Sequence, residues 1–189
     1  MKNIAIFASG SGTNAENIAR YFSENIDVNV ALVLSNNQNA GVHERAKMFG
    51  IPSYTFSRQE FIDGDVVVNK LSEYKVDLVV LAGYMNKISE PLLKAFPNKI
   101  INIHPALLPK FGGKGMYGMH VHEAVVESKE KESGITIHYV NENYDEGAII
   151  FQAVCPVLPS DTPDQVADKV HVLEYKHFPN VIAEVLGRL

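Results

Sequence analysis

The sequence predicts an α/β protein with a Rossmann-like, mostly parallel twisted sheet, helices on both faces and a C-terminal antiparallel strand. Short runs rich in Val and Ile alternate with longer amphipathic segments, which is typical of βαβ units. The first five short runs are continuously apolar, as expected of parallel strands buried on both faces. The later segment Gly134–Val140 alternates apolar and polar residues instead, which favours a half-exposed antiparallel strand.

Seven strands are expected in chain order. They are Ile4–Ala8, Val28–Leu34, Ser53–Phe56, Asp77–Ala82, Lys99–Ile103, Gly134–Val140 and Ala148–Val157. The main helices are Asn14–Ser23, Gly41–Phe49, Gln59–Tyr74, Glu90–Phe96 and Thr162–Leu186. Ser89 is expected to cap the fourth helix, whose first turn contains Pro91, and Asp161 or Thr162 to cap the last. The glycine-rich segment Phe111–Gly118 predicts a flexible loop.

Length and composition predict one globular domain over residues 1–189. Seventeen Lys and Arg residues against 22 Asp and Glu residues give a net charge of −5, and no basic run exists, so nucleic-acid binding is not expected. The single cysteine, Cys155, fits a reducing compartment. No apolar run is long enough to span a membrane, so we expect a cytoplasmic protein.

In an open α/β sheet, ligands bind outside the carboxyl ends of the strands. Four segments follow predicted strands and carry polar residues: Ser9–Asn14, Gly83–Ile88, Asn102–Pro109 and Asn141–Gly147. We therefore expect a ligand site to be built from these four segments.

The first of these segments contains the glycines of a ligand-binding turn. Gly10, Gly12 and Ala15 fit the dinucleotide pattern G-x-G-x-x-A, yet no acidic residue follows the second strand until Glu44 to hold a ribose hydroxyl. NAD is therefore disfavoured, and a single phosphate at the helix start is favoured. A tight turn without a ligand stays open as the alternative.

Asn102 and His104 are expected to project to one face at the end of the fifth strand, because strand side chains alternate. An amide donor beside an imidazole can stabilise an oxyanion and transfer a proton. A carboxylate would keep the imidazole charged; Asp145 is the leading candidate, with Glu146 and Glu142 as rivals. The alternative is a histidine at a strand end and an aspartate that only forms a turn.

The remaining histidines form no metal-ligand pattern. His138 lies on the polar face of its strand and is expected near the same cleft. His120 and His122 flank Val121 and are expected at a helix start, with a metal-binding pair as the weaker alternative. His43, His171 and His177 are expected on helix surfaces. Because the sequence contains neither H-E-x-x-H nor a clustered ligand set, no metal site is predicted.

Four segments resemble the phosphoribosylglycinamide formyltransferase family. They read Ser-Gly-Ser-Gly-Thr-Asn at 9–14, Leu-Ala-Gly-Tyr-Met at 81–85, Asn-Ile-His-Pro-Ala-Leu-Leu-Pro at 102–109 and Asp-Glu-Gly at 145–147. The third is specific to folate formyltransferases, and the first narrows the resemblance to the glycinamide ribonucleotide branch. The resemblance runs from Ile4 to Leu186 and implies a formyltransferase fold, with acceptor binding in the N-terminal half and folate binding and catalysis in the C-terminal half.

The resemblance implies transfer of a formyl group from the co-substrate 10-formyltetrahydrofolate to the primary amine of 5-phosphoribosylglycinamide, in purine (IMP) biosynthesis. It implies that His104 is the proton donor, Asn102 the oxyanion stabiliser and Asp145 the residue that raises the pKa of His104. Acceptor-binding residues are then Gly12, Thr13, Asn14 and Glu174. Folate-binding residues are Arg58, Met85, Asn86, Lys87, Ile88, Asn102, Asn141, Glu142, Asn143 and Tyr144. The expected partners are these two small molecules, without a metal, in a monomer or homodimer.

Two features depart from the family pattern. Asn86 stands where the family commonly has Arg, which puts a side-chain contact from that position in doubt. The loop Gly112–Met119 is longer and richer in glycine than usual. Lys110 and Lys114 in this region are candidates for phosphate contacts, with a mobile lid or an oligomer contact equally open.

Rival functions share the chemistry or only the fold. A methionyl-tRNA formyltransferase would need a basic C-terminal domain, and a formyltetrahydrofolate hydrolase an N-terminal regulatory domain; neither is expected here. Sugar-nucleotide formyltransferases lack the Ser-Gly-Ser-Gly-Thr-Asn loop in the family pattern. A non-catalytic nucleotide-binding domain of Rossmann type would leave the set Asn102, His104 and Asp145 without a purpose.

Overall fold

A computed structural model describes all 189 residues, with seven strands in one sheet and seven helices around it. The strands are β1 (Lys2–Phe7), β2 (Val28–Ser35), β3 (Ser53–Thr55), β4 (Leu78–Leu81), β5 (Ile100–His104), β6 (Glu132–Tyr139) and β7 (Ile149–Pro156). The helices are α1 (Thr13–Phe22), α2 (Val42–Met48), α3 (Arg58–Asp63), α4 (Asp65–Glu73), α5 (Glu90–Ala95), α6 (Met119–Glu127) and α7 (Pro163–Leu186). None of these helices combines the length and hydropathy that crossing a membrane requires.

The strand order is β3-β2-β1-β4-β5-β6-β7. Strands β1 to β5 are parallel to one another, β6 is antiparallel to β5, and β7 is antiparallel to β6. The predicted fold class is thus confirmed. Because the chain reverses its direction of strand addition beside β1, the carboxyl ends of β1 and β4 form the switch point where such sheets bind ligands.

Two apolar layers cover the two faces of the sheet. Alternate residues of β1 show the division: Ile4 and Ile6 pack in the larger layer, whereas Ala5 and Phe7 pack in the smaller one. The larger layer includes buried residues of α1, α2, α6 and α7, and the smaller one those of α3, α4 and α5. The parallel strands β1, β2, β4 and β5 are therefore largely buried on both sides, as predicted. The expectation of a buried strand is wrong for β3, which lies at the edge of the sheet with Ser53 and Thr55 exposed.

Two predicted elements differ in the structure. The expected helix Gln59–Tyr74 is two helices, because Gly64 between them adopts φ 82° and a Cβ there would collide with Pro91. The expected half-exposed strand Gly134–Val140 belongs to β6, which is buried from Ser133 to His138. Its apolar residues pack in the larger core layer, and the chain after β5 hydrogen-bonds to its polar side.

Thr162 and Ser89 occupy the predicted helix-cap positions, but only Thr162 makes a side-chain capping hydrogen bond. Thr162 caps α7 through a capping box with Gln165, whereas Asp161 accepts hydrogen bonds from the Leu158 N–H and from Lys169. Ser89 occupies the cap position of α5 without a side-chain hydrogen bond, so Pro91 in the first turn is the stronger local signal there.

Candidate active site

A cavity of about 580 Å³ opens at the carboxyl ends of the parallel strands. All four segments expected to form a ligand site contribute to its wall, together with the glycine-rich loop and parts of α6 and α7. Of the predicted site residues, these line it: Gly12, Thr13, Asn14, Met85, Asn86, Lys87, Ile88, Asn102, His104, Asn141, Asn143, Tyr144, Asp145 and Glu174. Arg58 and Glu142 are exposed and lie outside the lining. Glu146, the rival of Asp145, also lies outside it.

The glycine turn at the start of α1 is held against α2. Gly12 adopts φ 75° at the helix N-cap, and a Cβ there would collide with Val42. The Val42 N–H donates to the Gly10 carbonyl at 3.2 Å, and Arg45 Nε donates to the Ser11 carbonyl at 2.8 Å. No side chain caps α1, so its first N–H groups are available at the cavity wall for an anionic ligand.

Asn14 and Glu174 meet at the cavity wall although 160 residues separate them. Asn14 Nδ2 donates to Glu174 Oε2 at 2.8 Å, which joins α1 to α7. Glu174 is only 6% exposed, and burial raises the pKa of its carboxyl, although Asn14 and the nearby His171 act in the opposite direction. A buried carboxylate in this position can accept hydrogen bonds from an amine or hydroxyl of a ligand.

Asn102 and His138 face each other across β5 and β6, where their backbones are paired in register. His138 Nδ1 donates to the Tyr139 carbonyl at 2.8 Å, and its Nε2 lies 3.1 Å from Asn102 Nδ2 and faces Asp145. This pairing sets the orientation of the Asn102 amide. The amide has a second N–H, which remains available for a ligand oxygen.

His104 is buried at the end of β5, with 3% of its surface exposed. Its Nε2 donates to the Phe111 carbonyl at 2.7 Å, and its Nδ1 lies 3.6 Å from Asp145 Oδ2. Because Nε2 already carries a proton, a second proton would enter at Nδ1, on the side of the Asp145 carboxylate. Protonation of His104 is therefore coupled directly to the charge of Asp145.

Asp145 stands in the loop between β6 and β7 and has two imidazoles as neighbours. Its Oδ2 faces His104, and its Oδ1 lies 3.6 Å from His138 Nε2. The Gly113 N–H also donates to Oδ2 at 2.9 Å, which connects this loop to the glycine-rich loop. Burial alone would raise the pKa of Asp145, but the two histidines and the Gly113 N–H lower it below its ordinary value. Asp145 is thus ionised at neutral pH.

The pKa of His104 is lowered from its ordinary value of 6.5. Burial is the largest cause, and it outweighs the Asp145 charge and the Phe111 carbonyl, which both raise the pKa. The Asp145 carboxylate raises the pKa of His104, which is the direction that the resemblance implies. The expected imidazolium is therefore disfavoured at this site, because removing the ring from water destabilises its charged form.

A hydrogen-bond network holds the segment after His104. Thr136 Oγ1 donates to the Ala106 carbonyl at 2.7 Å and accepts from the Leu108 N–H at 3.0 Å. Gln152 Nε2 donates to both Thr136 Oγ1 and the Leu108 carbonyl. Sequence reasoning missed Thr136 and Gln152 as supporting residues. The polar positions of the alternating strand β6 were the available signal for Thr136, whereas Gln152 stands on β7.

The segment after β4 forms a more exposed part of the cavity wall. Met85, Asn86 and Lys87 are exposed, and the Met85 N–H donates to Ser9 Oγ at 3.1 Å, which ties this segment to the glycine turn. Lys87 and Lys114 are the two lysines that line the cavity. Lys110 points away from it and pairs with Glu130 at 2.9 Å. No group of three or more His, Cys, Asp or Glu side chains is arranged to hold a metal ion.

The chain is similar to known formyltransferases over nearly its whole length. The formyl transferase family profile matches residues 2–182. The chloroplastic phosphoribosylglycinamide formyltransferase of Arabidopsis thaliana is 43% identical over 97% of this chain, which spans 65% of that protein. The phosphoribosylglycinamide formyltransferase of Bacillus subtilis (strain 168) is 40% identical over 99% of this chain and 96% of its own length. The crystal structure of glycinamide ribonucleotide transformylase 1 from Symbiobacterium toebii superposes with a TM-score of 0.90 at 36% identity, covering 100% of this chain and 90% of that one.

Proposed function

Since the chain belongs to the formyl transferase family, and within it to the phosphoribosylglycinamide formyltransferases, we propose that it transfers a formyl group from 10-formyltetrahydrofolate to the primary amine of 5-phosphoribosylglycinamide. This step belongs to purine biosynthesis. One observation carries the proposal: a single cavity joins the glycine turn and Glu174 to the set Asn102, His104 and Asp145. An acceptor bound at one end thus has its reactive group beside a donor bound at the other.

The two ends of the cavity suit different substrates. The α1 N-terminus, with Gly12, Thr13 and Asn14, suits the acceptor phosphate, because unpaired N–H groups and the helix dipole favour an anion. Glu174 would hold an amine or hydroxyl of the same molecule. The folate would lie along Met85–Ile88 and along Asn141, Asn143 and Tyr144, which line the other wall. This division assigns the acceptor mainly to the N-terminal half of the domain. Arg58 and Glu142 remain predicted folate contacts outside the cavity.

In the reaction, the acceptor amine attacks the formyl carbon and a new C–N bond forms. The formyl oxygen gains negative charge, which the free N–H of Asn102 and the protonated His104 would stabilise. The bond between the formyl carbon and folate N10 then breaks, and a proton leaves the amine and reaches N10 through His104 or a water. Asp145 favours the charged His104 that this sequence needs.

The contacts of His104 add one requirement. His104 Nε2 donates to the Phe111 carbonyl, and Nδ1 faces Asp145, so neither nitrogen is free for a substrate. Substrate binding therefore has to exchange the Phe111 carbonyl for the reacting group at Nε2. Phe111 lies at the start of the glycine-rich loop and adopts φ 56°, a conformation unusual for a residue with a side chain.

The test measures formyl transfer by the purified protein with 10-formyltetrahydrofolate, with and without 5-phosphoribosylglycinamide. We expect donor consumption that depends on the acceptor and yields a formylated amine of equal amount. Donor consumption without acceptor would support a hydrolase instead, and consumption that needs a sugar nucleotide would support that branch. Binding of nucleotides with no turnover of any donor would support a non-catalytic domain.

A cytoplasmic location, the absence of a metal, and a monomer or homodimer remain predictions.

A further inference from the structure

The side chain of His122 has no role in the reaction described above, yet it lines the same cavity. It lies near the start of α6 and is 2% exposed. Its Nδ1 is enclosed by protein and has no hydrogen-bond partner. The sequence predicted the helix start correctly, but it did not predict that this ring would be buried.

An enclosed nitrogen without a partner destabilises a folded protein, because it loses its hydrogen bonds to water and gains none. A leucine would fill a similar volume without the free-energy cost of burying an unpaired nitrogen, so packing does not explain an imidazole at this position. Because Nδ1 is sealed, Nε2 is the polar atom of the ring that a ligand in the cavity can meet. The ring thus presents one hydrogen-bonding atom to the cavity.

The chemistry of the ligand group follows from the charge state of the ring. Burial lowers the pKa of His122 to about 4, and the neighbouring His171 and His104 lower it as well. The ring is therefore neutral at neutral pH. A neutral imidazole matches an uncharged hydroxyl, which both donates and accepts, better than it matches a phosphate, for which a cation would be preferred.

The position of the ring indicates which hydroxyl it meets. His122 lines the cavity together with His104, where the acceptor amine would react, and with His171 on α7, three residues before Glu174. Under the proposed function the acceptor phosphate lies at the glycine turn and its amine near His104. The pentose of the acceptor has to span that interval, past Glu174 and the packed helices α6 and α7.

We propose that His122 Nε2 hydrogen-bonds a pentose hydroxyl of the acceptor, so that His122 selects a ribosyl acceptor and positions its amine. This inference rests on the proposed function. His122 acts by binding and orientation, because no bond of the ring forms or breaks.

The experiment combines two variants with substrates that lack a hydroxyl. In His122→Gln the amide can occupy the position of Nε2, whereas in His122→Asn the shorter side chain occupies only that of Nδ1. Each protein is assayed with the ribosyl acceptor and with its 2-deoxy and 3-deoxy analogues, and thermal unfolding confirms that both variants fold. A third variant, His120→Gln, changes the exposed histidine of the same helix and serves as the control.

We expect the wild type to lose about tenfold or more in kcat/KM when the bonded hydroxyl is removed. His122→Asn should show the same loss with the ribosyl acceptor and no further loss with that analogue, while His122→Gln recovers most of the activity. The KM for the folate donor should not change. The inference is overturned if the loss caused by removing the hydroxyl and the loss caused by the His122 substitution add as free energies. It is also overturned if the wild type uses all three acceptors equally. Wild-type transfer to the ribosyl acceptor tests the proposed function separately, so the two failures can be told apart.

Discussion

The residues of the cavity fall into two groups that are held in different ways. Asn102 and His104 stand on β5, a central strand with hydrogen-bonded neighbours on both sides. Asp145 and Gly113 stand on loops, and the Asp145 side chain is 13% exposed against 4% for His104. The side-chain directions of Asn102 and His104 are set by a strand backbone that is hydrogen-bonded to β4 and β6. The loop residues have theirs set by only a few hydrogen bonds.

This difference separates two tasks. A group that stabilises an oxyanion has to be in place before the reaction, because reorganising it would cost part of what it contributes. A group that tunes the charge of a neighbour tolerates more movement, because a Coulomb interaction declines gradually with distance. We therefore expect substitutions on β5 to reduce turnover most, and substitutions on the loops to change pH dependence and substrate affinity.

The largest effect is expected from His104→Ala and Asn102→Ala. Each should lower kcat by about 10²- to 10⁴-fold with little change in either KM, because both groups act mainly in the transition state. The double variant should lose less than the product of the single losses, since the two side chains serve one oxyanion. Steady-state kinetics of the four proteins measure this, with thermal unfolding as the folding control. Losses below about threefold would remove both residues from the reaction, and fully multiplicative losses would show that they do not serve one oxyanion.

His122 is a buried group on a helix, and its effect is expected in the pH dependence of the free energy of unfolding. Its folded pKa of about 4 is below 6.5, so the unfolded chain binds a proton more readily. The stabilisation present above pH 6.5 should fall by about 3 kcal/mol as the pH decreases through about 4. Urea unfolding between pH 7 and 4 measures this loss, and His122→Gln should remove it. An equal loss in His122→Gln and the wild type would show that other groups cause it.

A smaller effect, about tenfold in kcat at neutral pH, is expected from Asp145→Asn. Asp145 opposes the lowering of the His104 pKa by burial, so its loss lowers that pKa further. If the charged imidazole is the active form, the pH at which activity declines on the alkaline side should move to lower values. Glu146→Gln, next to it but outside the cavity, is the matched control and should keep the wild-type profile. Superimposable profiles for both variants would reduce Asp145 to a turn residue.

The smallest effect is expected on the glycine-rich loop. Lys114→Ala should raise the KM of an anionic substrate about two- to fivefold, and added salt should diminish the difference, because the lysine is exposed. Lys110→Ala is the control, since Lys110 is occupied by Glu130 outside the cavity. Equal effects of the two substitutions would mean that only the overall charge matters.

Local patterns were sufficient for much of the fold. The continuous apolar runs predicted the parallel strands, and the period-two spacing placed Asn102 and His104 on one face. The break at Gly64 was missed because the apolar periodicity continues through it, while the close approach of Pro91, which leaves no room for a Cβ at position 64, is a tertiary feature. The burial of β6 was missed because its polar residues bond to Asn102 and to the chain after β5, and not to water.

The sequence by itself determined the strand and helix order, the turns after β1 and β5, and the family, because these depend on residues that are near one another in the chain. Only the tertiary structure decided the contact between Asn14 and Glu174, the orphaned nitrogen of His122 and the lowered pKa of His104. Each of these depends on how much water a group loses and on which partners distant segments bring to it. Desolvation and long-range pairing arise only when the chain is packed, so no local pattern contains them.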